Sequence, residues 1–317
     1  MVSMSTALEN KKDAGKKTEP DDRVIAKYSN GRKGPVLIVT VDTLGGELSG
    51  VEALIRVLDI LKKKNLRLKG EVVGLSGNIG SPKKAFLDLE EAQTFSQALE
   101  SLYNNEETQG YNEANEFVDL IEEFEKTQLN KATASFYLDL KTCPSIPSPY
   151  ICVNRDRKNL EFAGAFPFPK VVGLDDFVTD HMGFYLKAKA YTGLTFKTGL
   201  YGPYATAEIQ EAVIWLALIQ SGCLKKEDVP HLDFYLENLA KRFGKEEAVT
   251  YHVTYRYGIQ EDEFFRMVPG FHNFKRINKG EILAYSDGGE ILSEWDARIF
   301  MPQYHTQGQS GFFIVEE

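Results

Sequence analysis

The sequence predicts an α/β protein, a mostly parallel sheet flanked by helices and followed by a small C-terminal all-β module. Three observations carry this. Short, nearly continuous apolar runs such as Val36-Leu37-Ile38-Val39-Thr40-Val41 alternate with longer stretches of helical period through the first two-thirds of the chain. After Gly222 the texture changes to short strand-like runs separated by turn signals, among them Asn278-Lys279-Gly280 and Asp287-Gly288-Gly289. Finally, 317 residues that are 43% hydrophobic and 12% aromatic can bury a full core, in about two domains.

Residues 1–22 set Lys11-Lys12, Lys16-Lys17 and Asp21-Asp22 among small and polar residues without periodicity, and the expectation is a mobile tail. The α/β part is expected over 23–245 and the β module over 246–317. A strand is predicted at 35–42, then a helix from about Ser49 to Lys64 with Val51, Leu54, Ile55, Val57, Leu58 and Leu61 on one face. A strand at Gly70–Ser76 follows, then helical segments over 83–104 and 110–128. A strand at Ala134–Leu140 ends in the Pro-rich stretch Pro144–Pro149. A strand near 193–198, a helix over Ala205–Ser221 and another near 230–243 complete the unit. The aromatic run from Phe162 to Pro169 suits packing, and the acidic run Glu122-Glu123-Phe124-Glu125 suits a solvated helix face.

A net charge of -9 and a pI near 5.3 argue against nucleic acid or an anionic membrane as partner, and favour a small molecule or another protein. No apolar stretch approaches the roughly 20 residues that span a bilayer, and no signal-peptide core is visible, so a cytoplasmic protein is expected. Cys143, Cys152 and Cys223 lack paired spacing and are expected to be free thiols.

In an open parallel sheet, ligands bind beyond the carboxyl ends of the strands. Four places qualify: Asp42 with Leu44-Gly45-Gly46-Glu47; Gly77-Asn78-Ile79-Gly80; Asp139-Leu140-Lys141-Thr142; and Lys197 within Thr195-Phe196-Lys197-Thr198-Gly199. Neither glycine stretch has the spacing of a phosphate loop.

These segments carry a resemblance. Gly45 to Leu58 resembles a His-Gly-Asn-Glu segment and the helix after it, Gly77-Asn78 a Gly-Asn-Pro turn, and Phe86-Leu87-Asp88 through Phe95 an Asp-Leu-Asn-Arg region. Tyr137 to Pro149 resembles an Asp-Leu-His strand end with its Pro-rich loop. Met267 to Phe271, Asn278 to Glu281 and Phe300-Met301-Pro302 resemble a C-terminal β module. Together they are similar, over most of 35–317, to the succinylglutamate desuccinylase/aspartoacylase family. These are zinc deacylases of N-acyl amino acids on a zinc-carboxypeptidase-like fold.

That resemblance implies two imidazoles and one carboxylate on zinc, with a second carboxylate as base. By correspondence the first His is Leu44, the ligand Glu is Glu47, the second His is Lys141 and the base is Lys197. Ala92-Gln93 stands where the family's Asn-Arg pair would hold a substrate carboxylate. Leu has no lone pair to offer, and lysines around the same centre repel a divalent cation. Of the five histidines only His181 lies near the presumed site.

The expectation is therefore a deacylase-like protein with no zinc and no intact catalytic set, acting as a ligand- or partner-binding pseudoenzyme. Its binding residues would be Glu47, Asn78, Asp139, Lys141 and Lys197. The two lysines either neutralise Glu47 and Asp139 or make a cleft for a small carboxylate or other anion. A lysine acting as nucleophile or base is a further option. Two alternatives stay open: an active amide hydrolase with a rebuilt site, for example Asp42, Glu47 and Asp139 around magnesium, and a pure interaction scaffold. Homo-oligomerisation is left open.

Overall fold

The computed structural model describes residues 24–41, 48–76, 132–142, 148–177, 191–199, 203–243, 249–260, 262–304 and 310–317. The expected tail and the helical segments over 83–104 and 110–128 lie outside the described residues.

Among the described residues eleven strands form one sheet in the order β1-β3-β2-β4-β7-β5-β6-β8-β14-β13-β10. In chain order they begin with β1 (Val24–Ser29), β2 (Val36–Val41), β3 (Glu71–Ser76), β4 (Ser135–Thr142), β5 (Tyr150–Val153), β6 (Lys170–Val172) and β7 (Thr192–Thr198). They continue with β8 (Thr250–Gly258), β10 (Arg276–Ile277), β13 (Ala297–Phe300) and β14 (Ser310–Glu316). Strands β3, β2, β4 and β7 run parallel, as do β5, β6 and β8, while β1 and the β8-β14-β13-β10 edge pair antiparallel. A separate sheet holds β12 (Gly289–Leu292), β11 (Ile282–Ser286) and β9 (Phe265–Met267). The described residues after 249 are thus strand-rich as expected, but four of these strands extend the large sheet. Only β9, β11 and β12 stand apart.

Four helices are described: α1 (Leu48–Lys63), α2 (Arg157–Ala163), α3 (Pro203–Gln220) and α4 (Leu232–Phe243). Helix α1 packs Leu54, Val57, Leu58 and Leu61 on the sheet. Gly74 of β3 permits this approach, because a Cβ there would lie 2.1 Å from Leu54 Cδ2. Ile55 corrects the sequence expectation: it is 50% exposed. Its position lies about 100° around the helix from the centre of the buried stripe. Helix α3 is apolar nearly all round and correspondingly buried, with Val213, Ile214, Trp215, Ala217 and Leu218 fully covered.

Strands β1 and β5 and helix α2 were not predicted, and each is short or carries little periodicity. The expected packing role of 162–169 is met, since Phe162, Phe166 and Phe168 are buried, with Phe162 against Phe166 and Phe168 against Phe196. Helix α2 is fixed by Asn159, whose Nδ2 donates to Asn154 Oδ1 and whose Oδ1 accepts from the Gly193 amide that starts β7. Cys152 and Cys223 are buried free thiols. Among the described residues no helix is long and apolar enough to cross a membrane.

Candidate functional site

The site is built from the carboxyl ends of β2, β4 and β7. Register sets Thr40 beside Asp139 and Asp139 beside Thr195, with Lys141 beside Lys197 and Thr142 beside Thr198 two and three residues on. Because strand side chains alternate between faces, Tyr137, Asp139 and Lys141 share one face of β4. Phe136, Leu138, Leu140 and Thr142 share the other, the face covered by α1 and α3.

Asp139 is wholly buried. Its Oδ1 accepts from Thr40 Oγ1 at 2.8 Å, and its Oδ2 accepts from Thr195 Oγ1 at 3.3 Å and lies 3.3 Å from Lys141 Nζ. Thr40 Oγ1 is also 2.5 Å from the Tyr137 hydroxyl. Thr40 has one proton and gives it to the carboxylate, so Tyr137 donates to Thr40 and a relay runs Tyr137 to Thr40 to Asp139. Burial of the carboxylate is tolerated because neighbouring donors replace its water.

Lys141 is 9% exposed and Lys197 is half-buried, with Tyr150 beside it across the antiparallel β5. Lys141 and Lys197 are register neighbours, so two like charges enter adjoining strands, and the Asp139 carboxylate offsets part of that charge. The two lysines thus bring N–H donors and positive charge to adjoining strand ends, with Lys141 held on Asp139.

On the opposite face, Thr142 Oγ1 meets Ser49 Oγ of α1 at 3.3 Å and accepts from Gln210 Nε2 of α3 at 3.2 Å. Thr206, one turn before Gln210, donates to the Gly199 carbonyl just past β7. The first turns of both helices are thereby tied to the strand ends that carry the lysines.

Of the residues singled out from sequence, the fold brings Asp139, Lys141 and Lys197 together. Leu44, Glu47 and Asn78 lie outside the described residues, as do Asp42 and His181. Sequence reasoning named Thr195 and Thr142 only as members of the strand-end segments, without a role, and did not single out Thr40 and Tyr137 on the lysine face or Ser49 and Gln210 on the other. The signal for Tyr137 and Thr195 was the period-2 run of polar groups in β4 and β7, which departs from the continuous apolar pattern of a buried strand; Thr40 is a lone hydroxyl in the apolar run of β2.

A family zinc site was tested against the residues present. Among the described residues no group of three or more His, Cys, Asp or Glu is gathered as a ligand set. His231 precedes α4, His252 is on β8 and His272 follows β9, so none lies on β2, β4 or β7. Lys141 directs its ammonium at Asp139, and a protonated ammonium has no lone pair for a metal. The described donor set does not fit the two-imidazole, one-carboxylate arrangement.

No protein-family model and no curated protein sequence matches the chain. Solved structures do match it in fold. A succinylglutamate desuccinylase from Vibrio parahaemolyticus superposes with a TM-score of 0.60 at 15% identity, covering 92% of this chain and 83% of that one. A succinylglutamate desuccinylase/aspartoacylase from Rhodobacter sphaeroides gives a TM-score of 0.61 at 15% identity, covering 90% and 86% of the two chains. The product-bound ectoine utilization protein from Ruegeria pomeroyi gives 0.59 at 14% identity, covering 92% and 86%. The likeness runs through both the parallel sheet and the C-terminal strands, and it is a likeness of fold.

Proposed function

We propose that this chain uses a deacylase-type fold to bind a small carboxylate or similar anion beyond β2, β4 and β7, without zinc-dependent hydrolysis. One observation carries the reading: Lys141 and Lys197 stand side by side in register at the strand ends, with Lys141 anchored on the buried Asp139. A divalent cation about 5 Å from one ammonium is repelled by about 7 kcal/mol at an effective dielectric near 20. The same charge attracts a carboxylate, and a site screened from bulk water strengthens that attraction.

The fold neighbours bear on the ligand class. Two are named as succinylglutamate desuccinylases, so a dicarboxylate such as succinate is the natural first probe. A rebuilt hard-cation site is less favoured, because Asp139 already accepts from Thr40, Thr195 and Lys141. That uses about three of its four lone-pair positions.

The test combines metal analysis of protein purified without chelators, an assay for N-succinylglutamate hydrolysis, and calorimetric titration with succinate. Substoichiometric zinc, no hydrolysis and saturable succinate binding weakened at least tenfold by Lys197→Gln are expected. Stoichiometric zinc together with hydrolysis would overturn the reading, and so would an absence of succinate binding.

A further inference from the structure

Beneath the two lysines, on the helix-covered face, lies a polar node that the proposed binding site does not itself use. Gln210 and Thr198 are completely buried, yet among the described residues Gln210 Oε1 and Thr198 Oγ1 have no hydrogen-bond partner. Buried polar atoms of this kind are rare, because each unpaired group has lost its water without gaining a partner. The surroundings place the two close together. Thr198 is the register neighbour of Thr142, Gln210 donates its Nε2 to Thr142 Oγ1, and Thr206, four residues before Gln210, donates to Gly199 next to Thr198.

Turning the Gln210 amide over does not help. Oε1 would then accept from Thr142, and Nε2 would become the lone group. The two atoms suit one small partner that can donate to a carbonyl oxygen and also engage a hydroxyl. Water does both, and a polar site between buried oxygens is where ordered water is found. A bare cation could touch both oxygens but would leave the Thr198 proton without an acceptor.

We propose that one ordered water bridges Gln210 Oε1 and Thr198 Oγ1, and that Gln210 is thereby a positioning residue for the lysine pair. Thr142 follows Lys141 and Thr198 follows Lys197, so direct hydrogen bonding to the first and water bridging to the second tie α3 to both lysine-bearing strand ends. Ser49 adds α1 to the same node through Thr142. The clamp holds the ends of β4 and β7 at one level. The spacing of the two ammonium groups, and hence their joint grip on a carboxylate, depends on it. This second half rests on the proposed anion site, whereas the bridging water does not.

Crystal structures of the protein and of Gln210→Met at a resolution that shows ordered water, with calorimetric succinate titrations of both, test the two halves separately. Density for a water within hydrogen-bond distance of Gln210 Oε1 and Thr198 Oγ1 is expected, lost in Gln210→Met. Succinate affinity should fall about tenfold in that variant, while the fold and the Lys141 to Asp139 contact remain. Thr198→Val and Thr198→Ser provide a second pair should the methionine variant not fold. The valine should weaken succinate binding and the serine restore it.

Density showing both atoms paired directly with protein groups would overturn the water. Unchanged succinate affinity in Gln210→Met or Thr198→Val would overturn the positioning role. If the unaltered protein binds no succinate, the anion site fails and the positioning role with it, and the density still decides the water.

Discussion

The two faces of β4 are made from alternate residues of one eight-residue strand, yet they solve opposite problems. Leu138 and Leu140 enter a core shared with α1 and α3, where burial itself supplies the stability. Asp139 and Lys141 are buried to nearly the same degree and are tolerable only because donors and opposite charge surround them. Equal burial therefore does not mean equal purpose. The apolar face stabilises the sheet, and the polar face places charge at the strand ends at some expense of stability.

The largest expected effect is on the polar face. Asp139→Ala strands the Lys141 ammonium and the Thr40 and Thr195 hydroxyls, and chemical denaturation should show a loss of about 3–5 kcal/mol. If that loss is the penalty of an unpaired charge, Asp139→Ala combined with Lys141→Met should recover most of it. No recovery would mean that Asp139 acts mainly through the threonines. On the apolar face, Leu138→Ala should cost about 2–5 kcal/mol by transfer and cavity terms, with no partner substitution able to restore it. The contrast between a rescuable and an unrescuable loss is the test of the two faces.

A smaller effect separates the faces by pH. Cys223 is fully covered among the apolar residues of the helix side, and burial pushes its thiol up to about 11. Below the unfolded thiol value, near 9, both states are protonated and the group adds no pH dependence. Between about 9 and 11 the unfolded chain ionises while the folded chain does not. Stability should fall over that window by on the order of 2–3 kcal/mol, levelling once pH passes the folded value. Half-buried Tyr257 is also raised, chiefly by burial and by its hydrogen bond to Glu263, and titrates in the same alkaline range. The informative measurement is the pH slope of the protein against Cys223→Ala, which should be shallower; equal slopes would refute burial of the neutral thiol as the cause.

Much of the site's position was legible in the chain. The apolar run of β2, the period of α1 and the strand at Ala134–Leu140 announced a parallel sheet, and that sheet's carboxyl ends pointed to Asp139, Lys141 and Lys197. Thr40, Tyr137 and Thr195 were not legible as partners, because hydroxyls in apolar strands acquire a role only when register puts them beside a carboxylate. Gln210 was hidden more deeply, inside a helix that reads as continuous apolar packing. The C-terminal strands were legible as β but not as part of the large sheet, since pairing between β6 and β8 spans about eighty residues of chain.

The sequence by itself determined the alternation of strand and helix, the excess of acidic charge, and the presence of a lysine near the end of each of two predicted strands. Those are local facts of composition and period, and they hold in any conformation. The tertiary structure decided that Lys141 turns to Asp139, that the two lysines stand at one level, and that β8, β14, β13 and β10 complete the sheet. Each of these depends on strand register, which is fixed by packing and hydrogen bonding between segments far apart in the chain.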